Sequence, residues 1–161
     1  MVFRRHADKK APLLAYQRVL VPLAGNEADD APLRLSTLLE AGTTGEVSLL
    51  HVIEVPFDQE LDAENPEAVA FADEVLGRAE TFITEHEITA RMGVVQARAA
   101  GAAIVDEAIE WGADLILMGL RYKKRMGGAW DAGRTVPYVM RNSTAPVWCL
   151  RAQTEDLART P

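Results

Sequence analysis

Four cations fall within five residues, Arg121, Lys123, Lys124 and Arg125, in a stretch that opens at Gly119 and closes at Gly133-Arg134-Thr135. That composition suits an anion. Glycine lets backbone approach a phosphate closely, and a helix start offers unpaired N–H groups at the positive end of its dipole. The competing reading is a solvated connection whose charges only maintain solubility, and the loop alone divides the two evenly. Other chemistry is poorly represented. His51 lies inside an apolar run with no acid near it in sequence, so it reads as a hydrogen-bonded structural histidine rather than a base. His6 and His86 are isolated, and no set of Cys, His and carboxylates has metal-ligand spacing. Ser36, Ser48 and Ser143 lack a nucleophile elbow. With no catalytic constellation and no metal site, a binding protein is expected rather than an enzyme.

The elements around that stretch set its geometry. Asp114-Leu115-Ile116-Leu117-Met118 before it reads as a buried strand, and Val136, Val139 and Met140 after it have helical spacing, giving a helix over about 135–142. Arg18–Leu23 is a first strand, followed by a turn through Ala24-Gly25-Asn26-Glu27. Asp29 or Asp30 then caps a helix entered through Pro32, with Leu35, Leu38 and Leu39 as its apolar stripe and Gly42 as its stop. Glu46–Ile53 is a second strand. The acidic segment from Glu54 to Glu64 is long enough to fold over a neighbouring crevice. Asn65-Pro66-Glu67 starts a helix carrying Val69, Ala72, Leu76, Ala79 and Ile83. Gly93–Arg98 is a third strand, and a helix runs from Gly101 through Ile104, Val105, Ala108 and Ile109 to Trp111-Gly112. Pro146–Leu150 is the last strand. Strands that are apolar throughout and alternate with helices indicate a parallel sheet covered on both faces, an α/β three-layer sandwich.

A chain of 161 residues suits one domain: a basic arm over 1–15, the domain over 16–152 and a tail over 153–161. The arm, basic through Arg4, Arg5, Lys9 and Lys10 against Asp8, reads as a solvated tail rather than a contact to an anionic lipid surface or a link to a preceding segment, and it lacks the apolar stretch of a secretory signal. No apolar run approaches the ~20 residues of a membrane helix. The single cysteine, Cys149, permits no internal disulfide, and a reducing, cytoplasmic setting follows. Net charge is −7, yet residues 120–151 hold seven cations against Asp131 alone, so the remainder carries −13. An acidic body argues against nucleic acid, which requires a basic surface. A local cationic patch on that body fits one small anionic ligand.

Val19-Leu20-Val21-Pro22, Leu49-Leu50-His51-Val52, Gly101 through Gly112-Ala113-Asp114 to Gly119, and Gly133 followed by Val136, Val139, Arg141 and Ala145-Pro146-Val147 together resemble the universal stress protein family over residues 17 to 151. The resemblance implies a five-stranded parallel sheet of order 3-2-1-4-5, Rossmann-like and akin to the adenine nucleotide alpha hydrolases. It also implies a homodimer paired through the last strand, Val147–Leu150. A hydrophobic edge there would seek a partner in any case. Members act in stress response and regulation; some bind ATP and some do not. Carried over position by position, Pro22 and Val52 match the adenine side. Met118 and Gly119 match the fourth-strand end, and Gly133, Arg134 and Thr135 match the phosphate turn. Arg121 joins them as a cation of the adjoining loop. ATP-binding members carry an acid after the first-strand proline, where this chain has Ala24. Tyr122 stands at their middle glycine, the loop is one residue longer, and Arg134 replaces their hydroxyl residue, with Thr135 following. Losing an acceptor for a sugar hydroxyl costs ~1 kcal/mol. Arg134 offers a charge-assisted contact to phosphate, whereas Pro137 removes one first-turn donor. The ligand expected is therefore ATP, ADP, AMP, a cyclic nucleotide or phosphate. The alternative is a dimeric interaction module that binds none of them, including as the sensor domain of a larger protein such as a transporter.

Overall fold

The computed structural model describes residues 16–40, 45–121, 123–124 and 130–151. The expected basic arm and C-terminal tail, and the loop residues Tyr122 and Arg125, lie outside them. Five strands form one parallel sheet: β1 (Arg18–Leu23), β2 (Glu46–Glu54), β3 (Ala90–Ala97), β4 (Leu115–Leu120) and, last in the chain, β7 (Val147–Arg151). Their spatial order is β3-β2-β1-β4-β7, the 3-2-1-4-5 arrangement. Helices α1 (Asp30–Glu40), α2 (Pro66–Glu85), α3 (Ala100–Trp111) and α4 (Thr135–Asn142) cover it. No helix among the described residues is long and apolar enough to cross a membrane.

Successive strand side chains point to opposite faces, so uniformly apolar strands need a helix layer on each side. Val19, Val21, Leu49, Leu115 and Leu117 meet Leu33 of α1 and Val75, Leu76, Ala79 and Ile83 of α2. Leu20, Leu50, Ile116 and Met118 meet Ile104, Val105 and Ala108 of α3 and Val136 and Val139 of α4. The lower end of the sheet is tied by Asp114, whose carboxylate accepts the Gln17 and Arg18 N–H groups at 2.8 and 3.0 Å.

Several details differ from the sequence reading. Leu38 is 73% exposed and belongs to no apolar stripe; Pro32, Leu33, Ser36 and Thr37 are the buried residues of α1 among those described. Val69 and Ile109 are likewise on the outer faces of α2 and α3. β3 begins at Ala90, and β4 runs on to Leu120, so Gly119 is a strand residue. Neither Asp29 nor Asp30 is the cap before α1. Asn26 caps a single 3-10 turn, Glu27–Asp29, with Asp29 completing a capping box, and α1 follows from Asp30. Within the basic stretch, β5 (Lys123–Lys124) and β6 (Trp130–Asp131) pair as a short antiparallel ribbon.

Candidate functional site

The site originates in how β1 and β4 pair. β1 pairs with β2 along its whole length, from Arg18↔Glu46 to Leu23↔His51. Its ladder with β4 comprises only Val19↔Leu115 and Leu20↔Ile116. Beyond Leu20 and Ile116 the two strands part. β1 leads to α1 on one face of the sheet and β4 toward α4 on the other. A crevice therefore opens between their C-terminal ends, where open α/β sheets place ligands. Its volume is about 360 Å³.

All eight residues singled out from the sequence, Pro22, Val52, Met118, Gly119, Arg121, Gly133, Arg134 and Thr135, line this one crevice. Residues that sequence reasoning did not place there also line it, chiefly Asp29, Glu54 and Ala100.

The first lip is the turn after β1, and its polar groups are satisfied internally. Asp29 accepts the backbone N–H groups of Ala24 at 3.0 Å and of Gly25 and Asn26 at 2.7 and 3.2 Å. Asn26 Oδ1 in turn accepts the Ala28 N–H at 3.0 Å. Burial pushes the Asp29 carboxyl above its ordinary range, and the three N–H bonds and His51 pull it partly back. His51 is 6% exposed. Its Nδ1 lies 2.9 Å from the Leu23 carbonyl, so that nitrogen carries the proton and donates. Phe71 meets the ring edge-on at 5.6 Å. The structural role expected for His51 matches this setting.

The opposite lip is β4's end and the start of α4. Gly119 is obligatory, because a Cβ there would sit 2.0 Å from the Ala28 carbonyl oxygen. The turn after β1 thus lies directly against β4. Gly133 adopts φ 69°, the left-handed region that glycine enters without strain. Arg134 occupies the N-cap position of α4, and its side chain makes no cap hydrogen bond. Pro137 removes one first-turn donor, as expected, leaving Thr135 and Val136 to present theirs.

Charges in the crevice are largely committed. Arg121 Nε lies 2.9 Å from Glu27 Oε1, an ion pair that bridges the two lips. Glu54 Oε1 accepts the Ala100 N–H at 2.8 Å and so caps α3, whose own N-cap residue Ala99 has no side chain able to do so. The segment after Glu54, long enough to fold over the crevice, contributes no residue beyond Glu54 to its lining. The Arg98 guanidinium, which stacks on Phe57, donates to the carbonyls of Val55, Pro56 and Gln59 and holds that segment at the end of β3. Arg134 is the crevice guanidinium without an ion pair to a described residue. No group of three or more His, Cys, Asp or Glu among the described residues could hold a metal.

Comparison with known proteins gives the family. Residues 15–151 match the Universal stress protein family, and the chain belongs to it. No curated protein matches the chain at a significant level. Among solved structures, a universal stress protein from Archaeoglobus fulgidus superposes with a TM-score of 0.70 at 20% identity, over 83% of this chain and 98% of that one. The universal stress protein from Archaeoglobus fulgidus in complex with dAMP gives 0.67 at 19% identity, over 84% and 98%. A universal stress protein family protein from Arabidopsis thaliana with AMP bound gives 0.64 at 11% identity, over 87% and 94%.

Proposed function

We propose that this universal stress protein binds a phosphate-bearing nucleotide in the crevice between β1 and β4 and acts in stress response as a regulator, by binding rather than turnover. One observation carries the reading. Eight residues, seven carried over from the family resemblance and Arg121 from the adjoining basic loop, converge on a single cavity whose far wall is a helix start that Arg134 does not cap with its own side chain, beside a guanidinium with no ion pair to a described residue. A nucleoside monophosphate suits it best: the base lies toward Pro22 and Val52, and the phosphate against the Gly133–Thr135 turn and Arg134. Relatives of the same fold hold dAMP and AMP. ATP and ADP are the more demanding ligands, because Arg121, the next cation along, is already held by Glu27. The working form is a cytoplasmic homodimer joined through Val147–Leu150, where Trp148 is 37% exposed on the sheet's open edge.

Calorimetric titration with AMP, ADP, ATP, cyclic AMP and inorganic phosphate tests the proposal. Saturable binding is expected, weakened about tenfold in Arg134→Ala, the effect of losing one charge-assisted contact. Absence of heat with every ligand would overturn it. A second reading has its own support in the internal pairing of Glu27, Asp29 and Glu54 and in the missing acid at Ala24. On that reading the chain is a dimeric interaction module with no ligand, whether alone or as the sensor domain of a larger protein such as a transporter. Nucleotide copurifying with the protein would exclude it. A monomeric mass in light scattering would remove the dimer from both readings.

A further inference from the structure

A second cavity, independent of the nucleotide reading, lies on the other side of the turn after β1. It is a groove of about 470 Å³ between α1 and α2, within the range of small-molecule sites. Its floor is apolar: Leu23 from β1, Leu33 from α1, and Val75, Ala79 and Phe82 from α2. Val75, Arg78, Ala79 and Phe82 share one face of α2 by their spacing, so a cation interrupts a stripe that packing alone would fill with another apolar residue. Arg34 is its counterpart on α1, with its guanidinium 6.0 Å from the centre of the Phe82 ring.

The groove's charges are unequally available. Three carboxylates line it: Glu27, Asp29 and Asp30. Glu27 is held by Arg121, and Asp29 is folded onto three backbone N–H groups. Asp29 keeps its charge under those bonds, so with Asp30 it offsets Arg34 and Arg78 in sum, yet neither arginine forms an ion pair with a described residue. The mouth thus presents two guanidiniums that form no salt bridge to a described residue over an apolar floor.

We propose that this groove is a second ligand site, for a small amphipathic monocarboxylate. Its apolar body lies along Leu33, Val75 and Phe82, and its carboxylate sits between the two guanidiniums, whose forked donors match it. A mouth with no net positive charge favours a monoanion over a phosphate dianion, which the acidic body of the chain would repel more strongly. Leu23, Asn26 and Asp29 line both cavities. An occupant of the groove therefore touches the β1 lip of the crevice from behind.

The test uses decanoate, titrated calorimetrically into the whole chain below its micellar concentration, with decylamine and inorganic phosphate as controls. Saturable binding of decanoate alone is expected. It should fall tenfold or more in the double variant Arg34→Gln/Arg78→Gln, both of whose positions are on the surface. Amide resonances of Val75 and Ala79 should shift in the wild type, and those of Thr135 should not. AMP titrated into the same double variant should behave as in the wild type, which separates failure of the groove from failure of the crevice. Absence of saturable decanoate binding, equal binding of decylamine, or undiminished binding in the double variant would each overturn the proposal.

Discussion

The two lips of the crevice solve opposite problems with similar residues. The β1 lip is acidic and closed upon itself: Asn26 and Asp29 cap each other's backbone, and Glu27 reaches across to Arg121. The α4 lip is basic and open, a helix start whose N-cap residue, Arg134, makes no side-chain cap hydrogen bond. A lip whose donors and acceptors are mutually satisfied fixes the width of the crevice and adds little to affinity. A lip with donors left over gains from an anionic guest. The contrast teaches that mutations on the β1 side should read out as stability, and mutations on the α4 side as binding.

The largest effect is expected where the lips touch. A methyl group at Gly119 would overlap the Ala28 carbonyl, which is backbone and cannot rotate away. Gly119→Ala should cost about 3 kcal/mol, the upper range for overpacking a tight site, measured by urea unfolding. It should also displace the β1 turn and abolish AMP binding. A stable Gly119→Ala variant with wild-type affinity would show that the lips are not in register contact.

Asp29 comes next. Asp29→Ala strands three part-buried N–H groups and should cost about 2 kcal/mol, allowing for partial rehydration. Asp29→Asn keeps one acceptor oxygen and should cost less. The pH dependence has a definite sign. Burial raises the folded-state pKa above the ordinary 3.8. The folded protein therefore holds the proton more tightly than the unfolded chain, and that contribution is complete below 3.8 and lost as pH climbs toward the raised value. Stability of the wild type relative to Asp29→Asn should decline as pH rises above 3.8, followed by parallel urea titrations. A rising difference would mean that the N–H bonds outweigh burial.

How much of this was legible depends on whether the determining contacts are local. The five sheet strands and four helices show in sequence because each has a continuous apolar run or a helical stripe. The crevice residues were legible through the family resemblance, whose strand order puts the switch point between the first and fourth strands; the glycine-bearing basic loop by itself left the anion site and a solvated connection evenly divided. Asn26-x-x-Asp29 has capping-box spacing, but the sequence reading passed over it for a cap at Asp29 or Asp30, and so missed the 3-10 turn and the Asp29 carboxylate's place in the crevice. Three features had no such signal. Glu27 pairs with Arg121 only because β1 and β4 become neighbours in space. Arg98 captures the segment after Glu54 through carbonyls, which every residue type offers equally. Leu38 is apolar in type and exposed in place, since the helix face is fixed by the buried Leu33, Ser36 and Thr37.

The ion pair between the lips tests the contrast more finely. Both partners are more than half exposed, so Glu27→Gln should leave stability within about 0.5 kcal/mol of wild type. Binding is another matter, because the substitution frees Arg121 toward the crevice. Affinity for AMP should rise severalfold, and more for ATP, whose additional phosphates reach further along the lip. Unchanged affinity for both would assign Arg121 to holding the β1 turn rather than to the ligand.

Cys149 gives the smallest effect, and it sharpens the contrast from outside the crevice. It sits on β7, half-buried against the α3 and α4 side of the sheet. Burial pushes its thiol above the usual range, and among its neighbours no charge draws it down. Since the thiolate is the nucleophile, alkylation by iodoacetamide at neutral pH should be slow beside a free thiol. AMP in the crevice should leave that rate unchanged, for Cys149 does not line it. If the chain pairs through Val147–Leu150 as proposed, dilution below the dissociation range of that dimer should raise the rate, because the pairing would cover the strand that carries Cys149. A rate that responds to AMP and not to dilution would place the ligand's influence on the sheet edge, and the division of labour between the two lips would then have to include β7.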